Sequence, residues 1–182
     1  MKRIYTRTLI LMGALLIGST LAQATISTKA QSKDRLAEQV RRELAMLPWY
    51  NVFDYLTFSL HGDTVVLAGY ATRPVLKADA ERAVRRIEGV ARVKNEIEVL
   101  PLSPYDNRIR MAVYRTLYSQ PALQRYAMGV RPNIHILVNN GRVTLIGVVA
   151  NQGDRTIANI AANSVPGVFS VSNNITVRRG KV

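Results

Sequence analysis

His61 and His135 are the only imidazoles in the 182-residue chain, and cysteine is absent. Metal binding or general-base catalysis needs such groups gathered with carboxylates at ligand or hydrogen-bond reach. His61 falls in a predicted hairpin turn and His135 in a predicted strand, and no cluster of Asp, Glu and His stands at ligand spacing around either. Both read as ordinary turn and strand residues. Glu96 and Glu98 share one face of a predicted strand, because strand side chains alternate with period two. That pattern suits a solvated face better than an acid–base pair. Asn95 and Asn173 recur at one inward position and read as hydrogen-bonding structural residues. There is no Gly-x-Ser-x-Gly elbow, phosphate loop or nicotinamide fingerprint. The sequence reads as that of a non-enzymatic protein, with no catalytic residues, metal ligands or cofactor.

The elements that would carry these residues come in two copies. Residues 62–99 reappear without a gap at 140–177. Val65-Val66-Leu67-Ala68-Gly69 aligns with Val143-Thr144-Leu145-Ile146-Gly147, and Gly89-Val90, Val93, Asn95, Ile97 and Val99 align with Gly167-Val168, Val171, Asn173, Ile175 and Val177. A fixed offset means one folding unit used twice. In the first unit, Leu36, Val40, Leu44 and Leu47 line one face of a predicted helix over 34–47, which Pro48 ends. Strands over 55–60 and 64–70 form a hairpin. Thr72 is the expected cap of a second helix, before a last alternating strand at 93–99. The second unit repeats this order, with helices over about 105–119 and 152–164, Asn151 as a helix cap, and Asn139-Asn140-Gly141 as its hairpin turn. Gly69 and Gly147 are expected to face inward beneath the helices. The fold class is α+β: two α-β-β-α-β modules, each a small three-stranded sheet with two helices on one face.

The remaining segments set the boundaries. Met1-Lys2-Arg3 and Arg7, a short apolar run from Leu9 to Ile17, and Ala22-Gln23-Ala24 have the layout of a secretory signal peptide. The apolar run is shorter than the roughly 20 residues of a spanning helix. The expectation is a signal peptide at 1–24 cleaved near Ala24, a flexible tether at 25–33, module 1 at 34–100, a linker at 101–104, module 2 at 105–177 and a basic tail at 178–182. The protein is then expected in the periplasm.

Charge separates the two modules. Residues 34–100 hold ten basic and ten acidic side chains, whereas 101–182 hold ten basic ones against only Asp106 and Asp154. Solubility explains a net charge but not its segregation, so module 2 is expected to meet a polyanionic partner. On its first helix, the face away from Ile109, Val113 and Leu117 carries Met111, Tyr114 and Tyr118 flanked by Arg108, Arg110 and Arg115. Arg125, Tyr126, Met128 and Arg131 continue that composition. Rings and cations around an apolar strip suit a lipid headgroup interface, and they suit packing against another module or subunit equally well. On the second helix Asp79 and Arg82 of module 1 become Ile157 and Ile160, a candidate protein contact.

The ordered set Val-x-Leu-x-Gly, a helix of about fifteen residues, then Gly-Val-x-x-Val-x-Asn-x-Ile-x-Val, occurring twice over 34–177, resembles the BON domain, the bacterial osmotic-stress and nodulation module. The resemblance implies an envelope protein linked to osmotic tolerance or outer-membrane integrity, with phospholipid binding proposed for the domain and no catalytic residues. The expected function is association with anionic phospholipid surfaces through module 2. The alternative is a periplasmic protein-binding or chaperone-like factor, whose partner is an envelope protein or a second copy. Export argues against a nucleic-acid partner. The long segment 121–132 departs from the pattern of module 1.

Overall fold

The computed structural model describes residues 18–128 and 133–178, with side chains from residue 31. The chain runs α1 (Gly18–Ala45), β1 (Tyr55–His61), β2 (Thr64–Ala71), α2 (Pro74–Arg85), β3 (Arg92–Asn95), β4 (Glu98–Val99), α3 (Pro104–Tyr118), a 3-10 turn (Gln124–Tyr126), β5 (Ile134–Asn139), β6 (Arg142–Val149), α4 (Gln152–Asn163) and β7 (Ser170–Val177). Among the described residues, those from Gln39 onward form one compact unit, and 18–38, the first part of α1, belong to another. The stretch 25–33, expected as a tether, is therefore helical. No glycine or proline lies between positions 18 and 48, so nothing in the sequence stops the helix short of Gly18.

Each module is a sheet with a hairpin and a parallel crossover. β1 pairs antiparallel with β2, and β3 and β4 pair parallel with β2 in one register, Thr64 opposite Arg92 and Tyr70 opposite Glu98. They are two pieces of one edge strand, interrupted at Glu96–Ile97. Module 2 repeats the order β5-β6-β7, with Arg142 opposite Ser170 and an unbroken last strand. Val40, Leu44, Leu76, Ala80 and Val84 are buried with Val65, Leu67 and Ile97 in the first module. Ile109, Val113, Leu117, Ala158 and Ala162 pack with Ile136, Val143, Leu145 and Ile175 in the second.

The repeated asparagines do one job in both copies. Asn95 Nδ2 donates to Lys77 O and its Oδ1 accepts from Ile97 N, while Asn173 makes the same pair with Arg155 O and Ile175 N. Asn151 caps α4 by accepting from Asp154 N. Thr72, expected as the cap of α2, does something else. Arg73 is the capping residue and lends no side-chain bond, while Thr72 N and Oγ1 both donate to the buried carboxylate of Asp54. That contact ties the start of β1 to the end of β2.

A strap from module 1 completes module 2. β5 is an edge strand, and its Ile136 N–H donates to Val52 O at 2.8 Å. Val52 and Phe53 pack against the second core. His135 on β5 lies between Tyr50, stacked at 5.8 Å, and Tyr55, edge-on at 5.5 Å. Its Nδ1 is buried without a hydrogen-bond partner. Burial lowers the His135 pKa, against smaller opposing effects of the Asp54 carbonyl and charge. A folded-state pKa below the ordinary value near 6.5 means the unfolded chain takes up the proton first. Stability is then present above pH 6.5 and falls as the pH drops from there toward the folded value. Urea midpoints followed from pH 7.5 to 5 by the fluorescence of Trp49, the only tryptophan, should decline, and His135→Phe should flatten the decline. Equal slopes for the two proteins would exclude His135 as the cause.

Candidate functional site

One end of module 2 is welded from three connections. Ser103 caps α3 by accepting from Asp106 N at 3.1 Å, with Pro104 at the first helical position, where its missing N–H costs nothing. The Asp106 side chain is buried and accepts from Asn140 N at 2.9 Å and Gly141 N at 2.8 Å. These residues form the β5–β6 turn, with φ of 51° and 74°, the left-handed pair that a tight two-residue hairpin requires. Tyr105 Oη donates to Gly167 O at 2.9 Å, and Phe169 N donates to Gly141 O at 2.8 Å. The start of α3, the hairpin turn and the α4–β7 connection are thereby held together.

This end carries an exposed aromatic and cationic group. Phe169 is 77% exposed, Leu102 89% and Tyr105 48%. The Arg142 guanidinium lies 5.6 Å from the Phe169 ring and that of Arg108 lies 5.9 Å from the Tyr105 ring. At the matching positions of module 1 stand Thr64 for Arg142 and Ala91 for Phe169. The first module has no such tip. This contrast was present in the repeat alignment, but only the hydrogen-bonded convergence of three distant segments puts these residues on one surface.

The residues expected to form one binding face are distributed over several places. Arg108 belongs to the tip, and Met111 and Arg115 are exposed along α3. Arg110 is buried, a correction to its expected role. It donates to Val138 O and to Asn107 Oδ1, both at 2.7 Å. Burial lowers its pKa, opposed by the charges of Asp106 and Asp54. Tyr114 and Tyr118 contact each other, and Tyr114 meets Phe53 of the strap edge-on at 6.1 Å. Tyr118 Oη donates to Ile134 O, and burial raises its pKa. Of the two readings of this strip, the tyrosines follow packing against module 1. Tyr126 is buried, accepts from Ala150 N and donates to Asp154 Oδ2 at 2.5 Å. Arg125 forms an ion pair with the same carboxylate. Although burial alone would raise it, the bonds from Tyr126, Arg125 and Asn151 hold the Asp154 pKa below the ordinary range. Arg131 lies outside the described residues, as do 179–182 of the basic tail. Ile157 packs on the core, whereas Ile160 is 62% exposed.

Among the described residues no helix is long and apolar enough to cross a membrane. Among solved structures, the chain resembles the type III secretion structural protein CdsD of Chlamydia trachomatis at 13% identity and a TM-score of 0.33, covering 81% of this chain and 94% of that one. It also resembles the C-terminal domain of CdsD at 13% identity and a TM-score of 0.27, covering 78% and 96%. No curated protein matches. The family model of the BON domain matches residues 32–101 and again 105–179. Matched twice and over most of its length, the chain belongs to the BON domain family.

Proposed function

We propose that this tandem BON protein is exported to the periplasm and associates with anionic phospholipid surfaces through the tip of module 2, supporting envelope integrity under osmotic stress. Tandem BON domains support a non-catalytic, envelope-associated protein, and the family occurs in periplasmic or membrane-associated proteins. The observation that carries the membrane reading is the tip itself. An exposed Phe beside a Tyr, with Arg108 and Arg142 over the rings, joins an apolar term to an electrostatic one. The segregated charge supplies long-range attraction that module 1 lacks.

Flotation of the mature chain with vesicles of phosphatidylglycerol, against vesicles of phosphatidylcholine, tests this. Each tip arginine contributes about 1 kcal/mol near an anionic surface, so Arg108→Gln with Arg142→Gln should weaken low-salt binding by roughly thirtyfold. Phe169→Ser should remove binding that survives high salt, since salt screens only the charge term. Failure of the unaltered chain to float with phosphatidylglycerol at low salt would end the reading. The protein-binding alternative draws on a different feature: Trp49, 62% exposed, lies under Arg73 at 4.9 Å, a pairing of residue types common at contact hot spots.

A further inference from the structure

The two modules differ at a second place, on the outer side of α4. In module 1 the corresponding surface is self-satisfied: Asn95 Nδ2 donates to Glu81 Oε2 at 3.2 Å, and Glu81 forms an ion pair with Arg85. At the same positions module 2 has Asn173, Asn159 and Asn163, with Arg155 where module 1 has Lys77. The carboxylate is gone and a cation remains. A cavity of about 230 Å³ opens there, lined by Gln152, Arg155, Thr156, Asn159 and Asn173.

Thr156 Oγ1 donates to Gln152 O and Asn173 Nδ2 to Arg155 O, and the other lining donors have capacity to spare. The Arg155 guanidinium forms no ion pair among the described residues, and its one hydrogen bond there, to Asn173 O, is long at 3.4 Å. The neighbouring Asp154 is already committed to Arg125, Tyr126 and Asn151. The carboxamides of Gln152 and Asn159 have no partner among the described residues. A guanidinium fork matches the oxygens of a phosphate, and carboxamides both donate to such oxygens and exchange hydrogen bonds with hydroxyls. From this we infer that the α4–β7 cavity of module 2 binds a phosphate ester carrying hydroxyl groups, held by Arg155 and oriented by Gln152 and Asn159. It is separate from the tip and does not depend on the membrane reading. The same chemistry is offered by a soluble phosphorylated polyol and by the headgroup of a glycerophospholipid.

The test is an amide-resolved NMR titration of the mature chain with glycerol 3-phosphate at constant ionic strength, with glycerol as control. Saturable shifts at the Gln152 and Asn159 side-chain amides are expected with the phosphate ester and none with glycerol. Arg155→Gln should weaken binding at least about tenfold, the usual effect of losing a charge-assisted pair. Asn159→Glu, which restores the acid that module 1 carries, should abolish it while the melting temperature stays unchanged. Arg142→Gln, which weakens flotation under the membrane reading, should leave this titration unaltered. Non-saturating shifts, equal shifts with glycerol, or wild-type titration by both Arg155→Gln and Asn159→Glu would overturn the proposal. If Arg155→Gln also reduces flotation with phosphatidylglycerol, the ligand is the lipid headgroup; if flotation is unchanged, it is a soluble ester. Both results uphold the phosphate site.

Discussion

A valine at position 147 is expected to leave module 2 largely unfolded at room temperature, because a side chain there has no room that a rotamer change could open. A Cβ on Gly147 would stand 2.0 Å from Asn133 O and 2.9 Å from Ile134 Cα. At Gly69 it would stand 2.0 Å from Tyr55 O, and φ there is +117°, a conformation that side chains rarely adopt. The obstacle in both modules is the backbone at the start of the neighbouring strand. The sequence suggests helices pressing on an inward-facing glycine; the contact is instead made across the hairpin. Backbone cannot step aside as a methyl group can, so the cost should exceed the roughly 1–3 kcal/mol of ordinary core overpacking. Small modules hold little more than that in reserve. Thermal melts of Gly147→Val and Gly69→Val should lose most of the cooperative transition, or the proteins should be recovered insoluble. A melting temperature unaltered in both would show that the strands separate at little cost.

Asp106→Ala is expected to be nearly as damaging. The Asp106 carboxylate satisfies two backbone N–H groups of the β5–β6 turn and offsets the buried Arg110 guanidinium. Removing it leaves two turn donors unpaired, at about 1–3 kcal/mol each, and takes away the larger of the two charges that offset the buried Arg110. Asp106→Asn keeps an acceptor and should cost less. The double variant Asp106→Asn with Arg110→Met removes both charges and should recover part of the loss, a coupling that a denaturant-based double-mutant cycle reads directly. The turn that Asp106 holds also anchors Phe169 through Gly141. Vesicle binding should therefore fall in Asp106→Asn by more than its loss of stability alone predicts. Additive, uncoupled destabilisation would separate Asp106 from Arg110.

Local patterns were legible wherever one residue's neighbours along the chain decide its state. The 3.6-residue spacing of Ile109, Val113 and Leu117, the alternation from Val93 to Val99 and the turn at Asn140-Gly141 all reappear in the structure. The matched hydrogen bonds of Asn95 and Asn173 follow from the repeat. The start of α1 was less legible, because small polar residues mark a tether only when a breaker accompanies them. The surface of α3 was least legible. Tyr114 and Tyr118 form an apolar strip with no visible partner in sequence; Tyr114 meets Phe53, more than sixty residues earlier, and Tyr118 packs on Tyr114 and the second core. Arg110 adjoins the inward Ile109, and the Val138 carbonyl and nearby Asp106 carboxylate accommodate it inside.

The sequence by itself determined the two-module organisation, the order of elements, the family and the contrast between a neutral and a basic module. These rest on periodicity, offset and composition, which need no knowledge of contacts. Only the tertiary structure decided which of module 2's cations and rings face solvent. Exposure depends on what packs across a helix or strand, and here that was a strap from the other module, a hairpin turn and a connection far apart in the chain. Arg108, Arg142, Tyr105 and Phe169 became one surface because Asp106, Gly141 and Gly167 hold those segments together.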